Sequence, residues 1–147
     1  MADLLECLLQ IRGLRETLTR VDALTCSAAA ASAPTFAEAR LTAGALVVAE
    51  RTWLAELASA LPGPRAERLR SAALACDASQ DPLIQFTHAR QITLEALDTC
   101  TAADLAASGD GHDRGPSRVA DLIAYMLAHD VECLGLLRLA VERAAGR

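Results

Sequence analysis

At 147 residues with 52% hydrophobic side chains, the chain has the size and apolar content of one domain that builds its core without disulfides or structural metal. Alanine supplies much of that content and just four residues are aromatic, a mix that favours helix and argues against a β-sandwich or barrel. The net charge is −5, lysine is absent and the 14 arginines are scattered, so neither a nucleic-acid surface nor a basic membrane-lying helix is expected.

Periodicity predicts a first helix from about Asp3 to Leu24. Leu4, Leu5, Leu8, Ile11, Leu14, Leu18 and Val21 recur at steps of three and four, which places them on one face. The alanine-rich stretch Ser27 to Ala33 reads equally as helix extension or loose connection. Pro34, Thr35 and Glu38 then announce a second helix, because Thr35 and Glu38 fit the reciprocal capping box. It runs through Leu46, Val47, Trp53 and Leu57 and stops near Leu61, where Pro62, Gly63 and Pro64 cannot prolong it. A shorter helix is expected from Pro64 to about Ala78, burying Leu69, Ala73 and Cys76. Asp81 and Pro82 cap and open the next, which carries Leu83, Ile84, Ile92, Leu94 and Leu97 to about Asp98. Thr101 to Leu105 reads as one extra turn and Ser108 to Pro116 as a loop. Ser117 is an N-cap for a last helix reaching about Ala145, roughly 40 Å long at 1.5 Å per residue. No repeat and no long linker interrupts residues 1–147, so one helical-bundle domain is expected.

The five cysteines are odd in number and widely spaced without Cys-x-x-Cys. Cys7, Cys26, Cys76, Cys100 and Cys133 therefore read as small hydrophobes of a reduced, cytoplasmic protein. The N-terminus lacks a signal-peptide pattern and no apolar run is long enough to cross a bilayer, so no membrane partner is expected.

Chemistry concentrates on His129. Val119, Leu122, Met126, His129, Cys133, Leu137 and Ala140 share one face of the last helix, so His129 and Cys133 fall on the core stripe four residues apart. An imidazole and a thiolate at that spacing can share a soft divalent ion, although zinc wants a third protein ligand. The alternative is a hydrogen-bonded core histidine beside a buried thiol. A nucleophilic Cys133–His129 pair would sit in a core that substrate enters poorly, and no catalytic residue is assigned. Asp121, Asp130, Glu132 and Glu142 read as a solvated outer face, and Glu50 and Glu56 as exposed ion-pairing groups. His112 lies in a glycine-rich loop, and His88 on a helix face that spacing does not settle. Phosphate-loop, nucleophile-elbow and dinucleotide motifs are missing from the sequence.

The stretch from Arg90 to Ala145 resembles the C-terminal half of the DinB-like family. That family's pattern is a leucine-rich helix, an Asp-Leu turn, a glycine loop, a Ser/Thr cap and a long helix carrying His-x-x-x-His. Leu94, Leu97, Asp104, Leu105, Gly115, Ser117, Val119, Leu122, Ile123 and His129 stand where the pattern wants them. Upstream, Ala45, Leu46, Ala49, Glu50 and Arg51 resemble its second-helix segment. The resemblance implies an all-α, antiparallel up-down four-helix bundle of DinB/YfiT-like type, often a homodimer. It also implies three ligands for zinc or nickel, one on the second helix and two on the last. Residue by residue, those positions are Ala45, His129 and Cys133. Ala45 has no donor atom and Cys133 replaces a histidine, so the expectation is a degenerate site without a cofactor. The protein would be a non-catalytic dimer, structural or binding a small molecule. The alternative is a zinc- or nickel-dependent thiol transferase or hydrolase using His129, Cys133 and an unidentified third ligand, with a low-molecular-weight thiol as partner.

Overall fold

The computed structural model describes residues 4–29, 37–75, 80–109 and 117–144, the side chains of 25–29 excepted. Thr35, Cys76, His112, Gly115 and most of the expected loop up to Pro116 lie outside the described residues, as does the side chain of Cys26.

Within them the chain is all-α apart from one short ladder. The helices are α1 (Leu4–Ala29), α2 (Ala37–Ala60), α3 (Pro64–Leu74), α4 (Pro82–Asp98), α5 (Ala102–Ala106) and α6 (Val119–Ala144). The helix starts are written in local chemistry. Gly63 takes φ 75°, a left-handed conformation that glycine adopts without Cβ strain, and Pro64 opens α3. The Asp81 carboxylate accepts from the Leu83 amide at 2.9 Å ahead of Pro82. Thr101 and Asp104 complete a reciprocal capping box around the single turn of α5.

Three boundaries depart from the sequence reading: α3 ends at Leu74, with Ala75 extended, short of the expected Ala78, and the other two lie on α1 and α6. α1 continues to Ala29, so the first part of the alanine-rich stretch is helical. Ser117 does not cap α6: Ser108–Gly109 (β1) and Ser117–Arg118 (β2) pair as a two-residue antiparallel ladder, and the helix begins at Val119.

α1 packs on α4 and α6, and α2 packs on the same two helices, with α3 laid across α2 and α4. The core comes as two clusters, and these give the helix directions. Cys7, Ile11, Leu14, Trp53, Leu57, Leu94, Leu97, Leu122 and Met126 belong to the first; Val21, Ala43, Val47, Leu83, Phe86, Cys133 and Leu137 belong to the second. α1 and α6 therefore run from the first cluster to the second, and α2 and α4 run back. The neighbouring pairs α1/α6 and α2/α4 are parallel, which a simple up-down succession would not give. The cause is α3, whose reversal after Pro62 returns the chain so that α4 retraces the direction of α2.

The buried stripe of α1 is Cys7, Ile11, Leu14, Thr17 and Val21, whereas Leu4, Leu5 and Leu8 are exposed. The expected leucine face is thus rotated away from the core at the start of the helix. On α4 the buried residues are Leu83, Phe86, Ala89, Arg90, Thr93, Leu94, Ala96 and Leu97, while Ile84 is exposed.

Candidate functional site

Between the two apolar clusters lies a layer of charge. Glu50 on α2, Arg90 and Thr93 on α4, and Asp130 on α6 are all fully buried. The Arg90 guanidinium lies at their centre. Its Nε donates to Glu50 Oε1 at 2.9 Å and its Nη2 to Glu50 Oε2 at 2.9 Å. Nη2 also donates to Asp130 Oδ1 at 2.8 Å, and Nη1 to Asp130 Oδ2 at 2.7 Å. The remaining N–H of Nη1 reaches the Leu14 carbonyl at 3.1 Å. Every N–H of the guanidinium is used, twice in the parallel two-bond geometry that makes arginine–carboxylate pairs strong. Thr93 Oγ1 donates to Glu50 Oε1 at 2.7 Å, with the Ala89 carbonyl 3.2 Å away as the other acceptor in reach. The Phe86 ring lies 5.0 Å below the guanidinium carbon, within cation–π range.

Burial by itself would discharge Arg90. The charges of Glu50 and Asp130 and their hydrogen bonds outweigh that and raise its pKa far above the ordinary arginine value. No buried side-chain nitrogen or oxygen among the described residues is left without a partner. The layer is thus closed: four helices contribute, and nothing in it points at a vacant position.

This overturns part of the sequence reading. Asp130 is not on a solvated outer face and Glu50 is not an exposed ion-pairing group; both are in the core, and Glu56 is buried as well. Asp121 and Glu132 are exposed as expected, and Glu142 is half-buried.

His129 and Cys133 do come together. The sulfur is 3.6 Å from Nδ1 and 3.5 Å from Nε2. Cys133 is buried and His129 half-buried, so the pair sits at the edge of the core. Two donors on one tetrahedral zinc would stand roughly 3.5 Å apart, so the separation alone would serve. The direction would not, because a sulfur equidistant from both ring nitrogens lies over the ring and off the lone pair of either. The side chain that meets the imidazole from α2 is Trp53, edge-on at 4.9 Å, with Tyr125 completing the aromatic contact at 6.2 Å from the indole. Burial, then the carboxylates of Glu132 and Asp130, push the Cys133 thiol upward, away from the thiolate form.

Ala45, matched by resemblance to the third ligand, is exposed on α2. The pairs Arg143–Glu38, Arg90-bridged Glu50–Asp130 and Trp53–His129 set the register of α2 against α6. In that register Ala45 lies two turns, about 12 Å, along the axis from the level of His129. Among the described residues no three His, Cys, Asp or Glu side chains gather where an ion could be held. Of the buried carboxylates on α2 and α6, Glu50 and Asp130 are held by Arg90. The donor set as folded does not fit the three-ligand centre that the resemblance implies. His88 is exposed beside Gln85 and Ile92.

No helix of the described residues is long and apolar enough to cross a membrane. No family model, curated protein or solved structure matches the chain.

Proposed function

We propose that the protein is a DinB-like four-helix bundle whose metal centre has given way to an arginine-centred layer, and that it works without catalysis, binding a partner or a small molecule. The observation that carries this reading is the Arg90 guanidinium holding Glu50 of α2 and Asp130 of α6, while the His129 ring meets the Trp53 indole. A guanidinium supplies fixed positive charge and hydrogen bonds, but it cannot lower the pKa of a bound water or accept a ligand lone pair. The experiment is metal analysis of untagged protein from cells grown with added zinc and nickel. Substoichiometric metal and an unchanged melting temperature in chelator are expected. A stoichiometric ion that disappears in His129→Ala would overturn the reading.

That same outcome would favour the alternative, a zinc- or nickel-dependent thiol transferase or hydrolase, which draws on the close approach of Cys133 to His129.

The homodimer implied by the resemblance has a candidate face on α2. Between Leu41 and Ala55 the outward residues are Leu41, Gly44, Ala45, Val48, Thr52 and Ala55, without a charge; Glu50 is buried and Arg51 is bonded to Gln85. Leu41 is 77% exposed and Val48 66%, and the neighbouring α6 adds Leu136 and Leu139. An antiparallel α2 pair centred on Val48 would set Leu41 against Ala55 and Gly44 against Thr52, large against small, as a twofold interface requires. The 24-residue α2, about 36 Å by 10 Å, offers roughly 360 Å², under half of the roughly 800 Å² per partner of a stable interface, so the dimer also needs the α6 leucines.

A further inference from the structure

A groove of about 680 Å³ runs between the parallel helices α1 and α6. That volume lies within the ~300–1,000 Å³ range of small-molecule sites. Two glycines shape it. At Gly13 a Cβ would fall 2.8 Å from Leu127 Cδ1, so the missing side chain is what lets the Leu127 side chain lie against α1. At Gly135 a Cβ would meet nothing within 4 Å, so the missing side chain there leaves open space above the helix. The walls are apolar, from Leu24, Leu127, Val131 and Leu134, and Val131 is 69% exposed in a position where a helix ordinarily carries a polar residue.

The rim adds a charge pattern. Glu16 is turned to Arg12 at 3.5 Å, and Arg138 is held by Glu142 at 3.1 Å. Arg20, exposed on the same rim, has no carboxylate partner among the described residues. In a chain of net charge −5 an uncompensated guanidinium beside an apolar trough is a specific feature. It lies on the opposite side of α6 from His129 and is separate from the Arg90 layer.

We propose that this groove binds a monoanionic amphiphile, with the alkyl body between α1 and α6 and the carboxylate on the Arg20 guanidinium. The occupant follows from complementarity: the walls accept an apolar chain, Arg20 accepts a single negative charge, and a cationic or uncharged head leaves it unsatisfied. The proposal deepens the non-catalytic binding reading and rests on it. The two fail separately, because metal loading tests that reading and leaves the groove untouched.

The test is calorimetric titration of the full-length protein with sodium dodecanoate below its micelle concentration, against dodecyltrimethylammonium, which has the same chain and the opposite charge. Saturable binding of about one dodecanoate is expected, with the cationic analogue at least tenfold weaker. Arg20→Gln weakens dodecanoate about tenfold and removes the discrimination; Arg20 is exposed, so the fold is not at stake. Gly135→Leu fills the open space and abolishes binding with the circular dichroism spectrum retained. Absence of dodecanoate binding, equal binding of both amphiphiles, or binding indifferent to Arg20→Gln would overturn the proposal.

Discussion

Gly109 and Gly44 show how differently one residue type is used in this molecule. A Cβ on Gly109 would meet Ser59 Oγ and stand 2.9 Å from both Ala60 Cβ and the Glu56 carbonyl oxygen. The β1 strand can approach the end of α2 because that side chain is missing, and backbone cannot move aside cheaply. Gly109→Ala is expected to cost about 1–3 kcal/mol in denaturant unfolding. Gly44 lies mid-helix with nothing near its missing Cβ, so Gly44→Ala should stabilise by about 0.5–1 kcal/mol in the same assay. Asp104 adds a prediction in pH. The Arg65 guanidinium, 3.1 Å away, and the Thr101 amide hold its carboxyl below its ordinary value of 3.8. A lowered folded-state pKa means a stabilising contribution present above about pH 4 and lost as pH falls through the folded value. Asp104→Asn should remove that part of the acid dependence while leaving the rest of the curve. The extra turn from Thr101 to Leu105 is expected from the sequence, whereas its cap by Thr101 and Asp104 is a finding of the structure. The Arg65 partner, which lies on α3, is another.

Each long helix presents a stripe to the interior, and on three of them the stripe is interrupted by charge. Glu50 follows Leu46 and Val47 and precedes Trp53 and Leu54 at helical spacing. Arg90 stands between Phe86 and Leu94, and Asp130 between Met126 and Cys133 or Leu137. Their places in the apolar period are visible in the sequence, yet a carboxylate is rarely buried without a partner, so the charge of Glu50 and Asp130 points to solvent where their spacing points inward. The missing information was that two carboxylates and one guanidinium on different helices meet at one level. Removing the cation leaves two acidic groups in the core, so Arg90→Ala is expected to destabilise by about 3–5 kcal/mol in denaturant unfolding. Replacing Glu50, Arg90 and Asp130 together by apolar residues of similar volume should recover most of that loss, because no buried charge then remains. Equal destabilisation in the single and triple variants would show that packing volume, and not charge pairing, is what the layer contributes.

For the whole molecule, the helix directions decide what the surfaces can do. Parallel neighbours α1 and α6 enclose the groove with Gly13 and Gly135, while the antiparallel pair α2 and α6 carries the uncharged face around Val48. If that face closes a twofold dimer, Val48→Glu should convert it to monomer in sedimentation velocity at high protein concentration. Val48→Cys should give a reducible, cross-linked dimer that the wild-type chain does not form. A monomeric wild-type protein would remove the interface.

What the sequence determined by itself was the set of helices and most of their ends. Capping, proline and glycine stops, and apolar periodicity act over a few residues, and those residues are adjacent in the chain. It also determined that His129 and Cys133 lie on one side of one helix. The tertiary structure alone decided what stands opposite them. Which way α4 returns, that Trp53 rather than Ala45 meets His129, and that Arg90 lies between Glu50 and Asp130 all depend on rotation and register between helices. Those are fixed by the sum of many side-chain contacts across the core, and no spacing within one helix encodes them.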